Sequence, residues 1–312
     1  MSNLTTFNRL DNGKDNISLV KENELKINLN SYKPIKRNFG LDLLKIISMI
    51  NILNLHLCVS TGLLYINPKT PKFKQIWRLE AFSYFPVDCF SLISGIVGYK
   101  RYKFSNLIYI WFIVCFYSFS TTLYFNYQQK IFLFNKSLLL SLFPILINTN
   151  WYLNAYFCMY LLLPFINAGI NQLNQITYRN LVLFFLGFFS FYQVIASIFG
   201  NRNFTFLLKG YSSMWLTILY IIGGYLGKFV IEKKINKNKV LLLYLLIYIS
   251  LSLLTSETFL HLTYKRSRIP NSIFVSYLSP TVVFQAISLI MILSQLNIEN
   301  KWIKKSFLLY YL

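Results

Sequence analysis

A chain of 312 residues with 55% hydrophobic and only 13% charged residues has too little polarity to cover a water-soluble surface. Its mean hydropathy of +0.47 comes from clumped apolar runs. Clumping excludes a transmembrane β-barrel, whose strands alternate, and predicts an all-α fold, a polytopic transmembrane helix bundle in the lipid bilayer. The formal net charge of +21 is spread over short segments between those runs, which excludes nucleic acid as a partner and fits membrane topology.

The first 36 residues are polar, of mixed charge and without a cleavable signal. They read as a cytoplasmic tail, 1–36, ahead of a membrane domain, 37–312. Eight full spans follow, near 41–63, 81–99, 104–125, 151–168, 180–199, 212–230, 239–256 and 272–295. A ninth begins near Phe307 and is cut off. Segment 137–147 is apolar but short and holds Pro144, so it reads as an interfacial or re-entrant helix. With the N-terminus inside a cell membrane, the cytoplasmic segments hold nineteen Lys and Arg and the outer ones eleven. A full span at 137–147 would send the basic loop Lys228–Lys239 outward, against the positive-inside tendency. Cys58, Cys89, Cys115 and Cys158 all fall inside apolar runs and read as buried free thiols. Two histidines and no CxxC leave no metal site, and no bound cofactor is indicated.

The first span is the most polar, running from Gly40 through Asp42, Lys45, Ser48, Asn51 and Asn54 to His56. Lys45 and His56 lie 11 residues apart, about three turns plus 20°, on one helix face with ~16 Å between their levels. Asp42, Met49 and Ile52 share that face, so a charge and an imidazole look into one interior. The plain alternative for Asp42 and Lys45 is an i,i+3 ion pair at the headgroups. For His56 it is a core histidine bonded to a neighbouring helix, although ionisable groups at that depth are usually functional. The second span carries Glu80, Pro86, Asp88 and the pair Ser94-Gly95. Helical rise sets His56 ~8 Å and Asp88 ~11 Å below the outer boundary, and adjacent antiparallel helices can bring them together. A carboxylate beside an imidazole fixes its tautomer, as a general base needs. The competing reading of Asp88 is a hydrogen bond to backbone freed by Pro86.

Arg37-Asn-Phe-Gly-Leu-Asp42-Leu-Leu-Lys45-Ile-Ile-Ser-Met followed by His56 resembles the first span of the acyltransferase 3 family of membrane acyltransferases. Val87-Asp88-Cys-Phe-Ser-Leu-Ile-Ser94-Gly95 is similar to its second span. Asn150-Trp151-Tyr-Leu-Asn-Ala-Tyr156 with Pro164-Phe-Ile-Asn167 is similar to its Trp-aromatic span, and Tyr211-Ser-Ser-Met-Trp215 through Tyr220-Ile-Ile-Gly223 to a later one. The likeness runs from about Arg37 to the end of the chain. It implies transfer of an acyl group, often acetyl, from acyl-CoA (acetyl-CoA) to a hydroxyl of a cell-surface polysaccharide or its lipid-linked precursor, an O-acetylation of the cell envelope. His56 falls on the family's essential histidine, and Lys45 falls where the family normally has arginine. Lysine keeps the charge but loses the planar fork that grips a phosphate bidentately.

In the mechanism this implies, His56 is the base, Asp88 orients it, and Lys45 with Lys100, Arg101 and Lys103 holds the CoA phosphates. Positive-inside topology alone also accounts for the last three. Trp151, Tyr152 and Trp215 read either as interface-belt anchors or as rings that stack on a sugar. A polytopic glycan polymerase or flippase would carry longer outer loops or more spans, and a proton-coupled transporter would use His56 and Asp88 as a relay. The segment Ser306–Leu312 resembles the start of the family's final span and stops short of its Tyr-Leu-x-His stretch, so the expectation is a truncated family member that is less stable than a complete one, with an inactive truncated acyltransferase as the alternative.

Overall fold

The computed structural model describes residues 38–100, 102–131, 135–144, 150–199, 205–231, 238–265 and 273–296. The tail at 1–36, Arg101 and the stub from Phe307 lie outside the described residues. The chain divides into two units at Asn38, and every helix below belongs to the second. All regular elements among the described residues are helical. They are α1 (Phe39–Ser60), α2 (Pro71–Ser83), α3 (Pro86–Gly98), α4 (Phe104–Gln128), α5 (Lys136–Ser141) and α6 (Trp151–Gln172). Then come α7 (Gln175–Phe185), joined by a π-helical turn at Leu186–Phe191 to α8 (Tyr192–Ile198), α9 (Ser213–Tyr225) with a π-helical turn at Leu226–Val230, α10 (Asn238–Tyr264) and α11 (Pro280–Leu293).

Helix starts are set by local chemistry, because free N–H groups in apolar surroundings need acceptors. Asn150 Oδ1 accepts from Tyr152 N at 3.0 Å and Leu153 N at 3.3 Å, and Ser212 Oγ accepts from Trp215 N at 3.2 Å. Thr70 and Ser279 cap α2 and α11, each followed by proline at the first helical position. Those Thr-Pro and Ser-Pro pairs produce two departures from the sequence reading. Residues 71–80, expected as an outer segment, are helical and join α3 across a break at Tyr84-Phe85. The expected eighth span, 272–295, is helical only over Pro280–Leu293, whose ~21 Å rise is short of the ~30 Å hydrocarbon core. Among the described residues, seven stretches are long and apolar enough to cross a membrane, the α2–α3 stretch counted as one. The protein is therefore a multi-pass membrane protein.

The centre of the bundle is the contact of α3 with α9. A Cβ placed on Gly95 would run into the Tyr220 carbonyl, and one on Gly223 into the Leu92 carbonyl, so the two backbones touch. Matching positions ascend together, from Asp88 beside Trp215 to Gly95 beside Tyr220 and Ile96 beside Gly227, so α3 and α9 run parallel. Parallel passage needs an even number of crossings from one helix to the next-but-even one, which the short α5 respects and a full span at 137–147 would break. Asn167 Nδ2 donates to Gly98 O at 3.1 Å, Asn171 Nδ2 to Tyr99 O at 2.9 Å, and Tyr220 O–H to Asn167 Oδ1 at 2.9 Å, tying α6 to both. Lys228 Nζ closes the C-terminal end of α6 by donating to the carbonyls of Ile170, Asn171 and Leu173.

Around this centre α1 and α11 pack on α3, and α10 packs on α2 and α11. Arg78 donates to Glu257 Oε1 from Nε at 2.8 Å, Trp77 stacks on Phe259 with centroids 3.5 Å apart, and Tyr248 O–H donates to Phe82 O at 2.8 Å. The α4 helix is peripheral, with Leu107, Cys115 and Asn126 its only buried residues. Cys58, Cys89 and Cys115 are buried, but Cys158 is exposed on the outer face of α6, correcting the expectation of four buried thiols. An apolar run does not tell a lipid-facing side from a protein-facing one, because both are equally greasy.

Gly95→Ala and Gly223→Ala are each expected to lower the thermal unfolding temperature in detergent, with a cost of about 1–3 kcal/mol from overpacking. Gly169→Ala is expected to be neutral or stabilising, since a Cβ there meets nothing within 4 Å.

Candidate functional site

The α3 and α9 helices begin side by side. Pro86 starts α3 two residues before Asp88, and the Ser212 cap starts α9 three residues before Trp215. Both side chains are 0% exposed, and Trp215 Nε1 donates to Asp88 Oδ1 at 3.3 Å. The helix N-terminus favours the carboxylate there. Asp88 Oδ2 is buried without a partner among the described residues. An unpartnered carboxylate oxygen away from water costs several kcal/mol, so this one is poised to accept a bond.

More unpartnered buried atoms lie on the adjoining helices. They are Glu80 Oε2 and Ser83 Oγ on α2, and both amide atoms of Gln285 on α11. Cys89 sits between α3 and α11, its thiol 3.8 Å from Ala286 O. Beside Asp88 stands a group of rings. Tyr277 lies between Tyr84, stacked with centroids 4.8 Å apart, and Trp151, at 5.9 Å, while Tyr211 is tilted against Trp151 at 4.5 Å and Tyr277 at 5.1 Å. Tyr152 is half-buried between Phe90 and Tyr156.

The α1 helix departs furthest from expectation. Its buried residues are Gly40, Leu41, Asp42, Leu44, Ser48, Leu55 and Cys58, whereas His56 is exposed, with Met49 and Leu53 also turned outward. The face shared by Lys45 and His56 is thus buried at Asp42, half-buried at Lys45 and exposed at Met49 and His56. His56 has no hydrogen bond or ion pair to another described residue, and Asp88 and His56 are not bonded to each other. The glycine contact turns the first turn of α3 toward α9 instead. Lys45 Nζ meets Asp42 Oδ1 at 3.2 Å, which is the plain i,i+3 pair. Trp215 is sealed in the core rather than placed at an exposed belt. Lys100 stands over the Tyr99 ring at 5.2 Å, Lys103 is exposed with its carbonyl accepting from Tyr160 O–H, and Arg101 is outside the described residues.

The family model described as an acyltransferase domain, acyltransferase 3, matches residues 38–312. The chain belongs to the acyltransferase 3 family. It is a membrane acyltransferase, with a bilayer around its helices and an acyl donor and hydroxyl acceptor as reactants. Among curated proteins and solved structures, none matches this acyltransferase. Sequence reasoning named Glu80 and Tyr211 within span motifs without giving either a role, and passed over Tyr84, Tyr277 and Gln285. A glutamate and a glutamine embedded in apolar helices were the available signals.

Trp215→Phe is expected to destabilise the acyltransferase by about 1–3 kcal/mol, because it strips Asp88 of its donor. Trp215→Phe combined with Asp88→Leu should cost less than the sum of the single changes, as read by a double-mutant cycle of thermal unfolding.

Proposed function

We propose that this acyltransferase moves an acyl group, acetyl above all, from acyl-CoA to a hydroxyl of a cell-surface polysaccharide or its lipid-linked precursor, with the N-terminus cytoplasmic. The observation that carries the reading is the state of His56. Its imidazole is exposed and bonded to no other described residue, on a helix that packs through Leu44 and Ser48, so it is available to substrates without breaking the fold. In the proposed step the acceptor oxygen attacks the thioester carbonyl while His56 takes the hydroxyl proton. Collapse of the tetrahedral intermediate breaks the C–S bond, and the imidazolium returns its proton to the departing CoA thiolate. Lys45, Lys100 and Lys103 are the cations proposed to meet the CoA phosphates. For Lys45 this requires exchanging Asp42 for phosphate, which a single charge on a flexible stem can do. Asp88 is assigned to the acceptor side, since its bonded partner is Trp215.

His56→Ala is expected to abolish glycan acetylation and acyl-CoA-dependent CoA release while membrane protein level and thermal stability stay at the parent value. Unchanged acetylation in that variant would remove His56 as the base. Release of CoA by the parent protein in proteoliposomes also separates acyl transfer from polymerisation, flipping or proton-coupled transport.

Lys45→Arg is expected to lower the acyl-CoA concentration needed for half-maximal rate, because guanidinium grips a phosphate with two parallel bonds. A higher requirement would show that this site is adapted to lysine.

A further inference from the structure

We infer that Glu80 and Asp88, with the rings of Tyr84, Trp151, Tyr211 and Tyr277, form the binding site for a sugar ring of the acceptor. The inference deepens the proposed function and rests on its choice of a glycan as acceptor. Two carboxyl groups reach this place from different helices, Glu80 from α2 and Asp88 from the first turn of α3. Glu80 is 5% exposed and Asp88 0%, and each keeps one oxygen with no partner among the described residues. Both are tied to Tyr277 through the packing: Asp88 is bonded to Trp215, which with Tyr277 adjoins Gly210, and Glu80 lies one helical turn before Tyr84, which stacks on Tyr277. A ligand for this pair must bring hydrogen-bond donors and must offer an apolar surface to four aromatic rings. A pyranose does both, with hydroxyls that donate to carboxyl oxygens and C–H faces that pack on rings. A quaternary ammonium would satisfy the rings but brings no hydrogen-bond donor to the two oxygens.

The rim of the site supports entry of a ring. Tyr211 is 40% exposed and is the outermost of the four aromatic residues. It follows Leu208, Lys209 and Gly210, which have φ of 47°, 56° and 95°. The left-handed region costs a non-glycine residue about 1–2 kcal/mol, and such strain persists where surrounding contacts hold it. Two contacts do so. Ser276 Oγ donates to Lys209 O at 3.1 Å, and Gly210 lies so near Tyr277 that a Cβ would stand 2.5 Å from the tyrosine Cβ. The strained turn is therefore clasped to the loop that carries Tyr277.

The test uses the full chain in lipid nanodiscs, without donor, and follows tryptophan fluorescence during titration with hexyl glucoside and hexyl N-acetylglucosaminide. Hexane-1,2-diol and hexyltrimethylammonium serve as chain-matched controls, and every variant is checked for parental thermal stability. Saturable binding of at least one glycoside is expected, weakened roughly tenfold by Glu80→Gln and by Tyr211→Ala, and unchanged by Tyr109→Ala on the outer face of α4. Tyr84→Phe keeps the ring and is expected to retain binding, which covers the case in which Tyr211→Ala fails to fold. Equal binding of the diol, preference for the ammonium, or glycoside affinity indifferent to both Glu80→Gln and Tyr211→Ala would overturn the inference. CoA release, measured separately, tells the two failures apart. Glycoside binding without CoA release would sink the acyl-transfer reading, whereas CoA release with affinity indifferent to these variants would sink the sugar site alone.

Discussion

Everything in the bundle is organised by the backbone-to-backbone contact of α3 with α9 at Gly95 and Gly223. Lipid tails are as apolar as leucine, so no hydrophobic force drives two helices together once they are in the bilayer. Close packing and satisfied polar groups must supply the association. The glycines allow the first and Asp88 with Trp215 supplies the second. Because the helices are parallel, their N-terminal ends coincide, and the polar pair stands where two helix dipoles favour negative charge. The same register carries Tyr220 to Asn167 and so fixes α6, whose first turn brings Trp151 to the ring group.

That arrangement leaves the polar interior oversupplied with acceptors. Asp88 Oδ2, Glu80 Oε2 and the Gln285 amide are buried and unpartnered among the described residues. Groups of this kind are costly in a membrane interior, and they are retained where function uses them. His56 is exposed on α1, apart from this acceptor-rich interior beside α3.

Much of the fold was legible in the sequence, because span number and order depend on the length of apolar runs, and lipid enforces that length. The positive-inside balance also set aside 137–147 as a span, in agreement with the six residues of α5 and the parallel register of α3 and α9. Facing was not legible. Helical spacing put Lys45 and His56 on one face, but nothing in the spacing says whether that face meets protein or lipid, and α1 packs through Leu44 and Ser48 instead. Cys158 and Trp215 were misjudged for the same reason. Asp88 was recognised as important, yet its partner lies 127 positions away on a helix whose approach depends on glycines, and glycines carry no pattern that names a neighbour.

The central claim is that the glycine contact delivers Trp215 to Asp88. Its most direct test is the indole N–H resonance of Trp215 in 15N-tryptophan-labelled protein in nanodiscs, assigned by loss of the signal in Trp215→Phe. The account predicts a hydrogen-bonded proton that shifts on Asp88→Ala and shifts likewise on Gly223→Ala. A resonance unmoved by either change would contradict it.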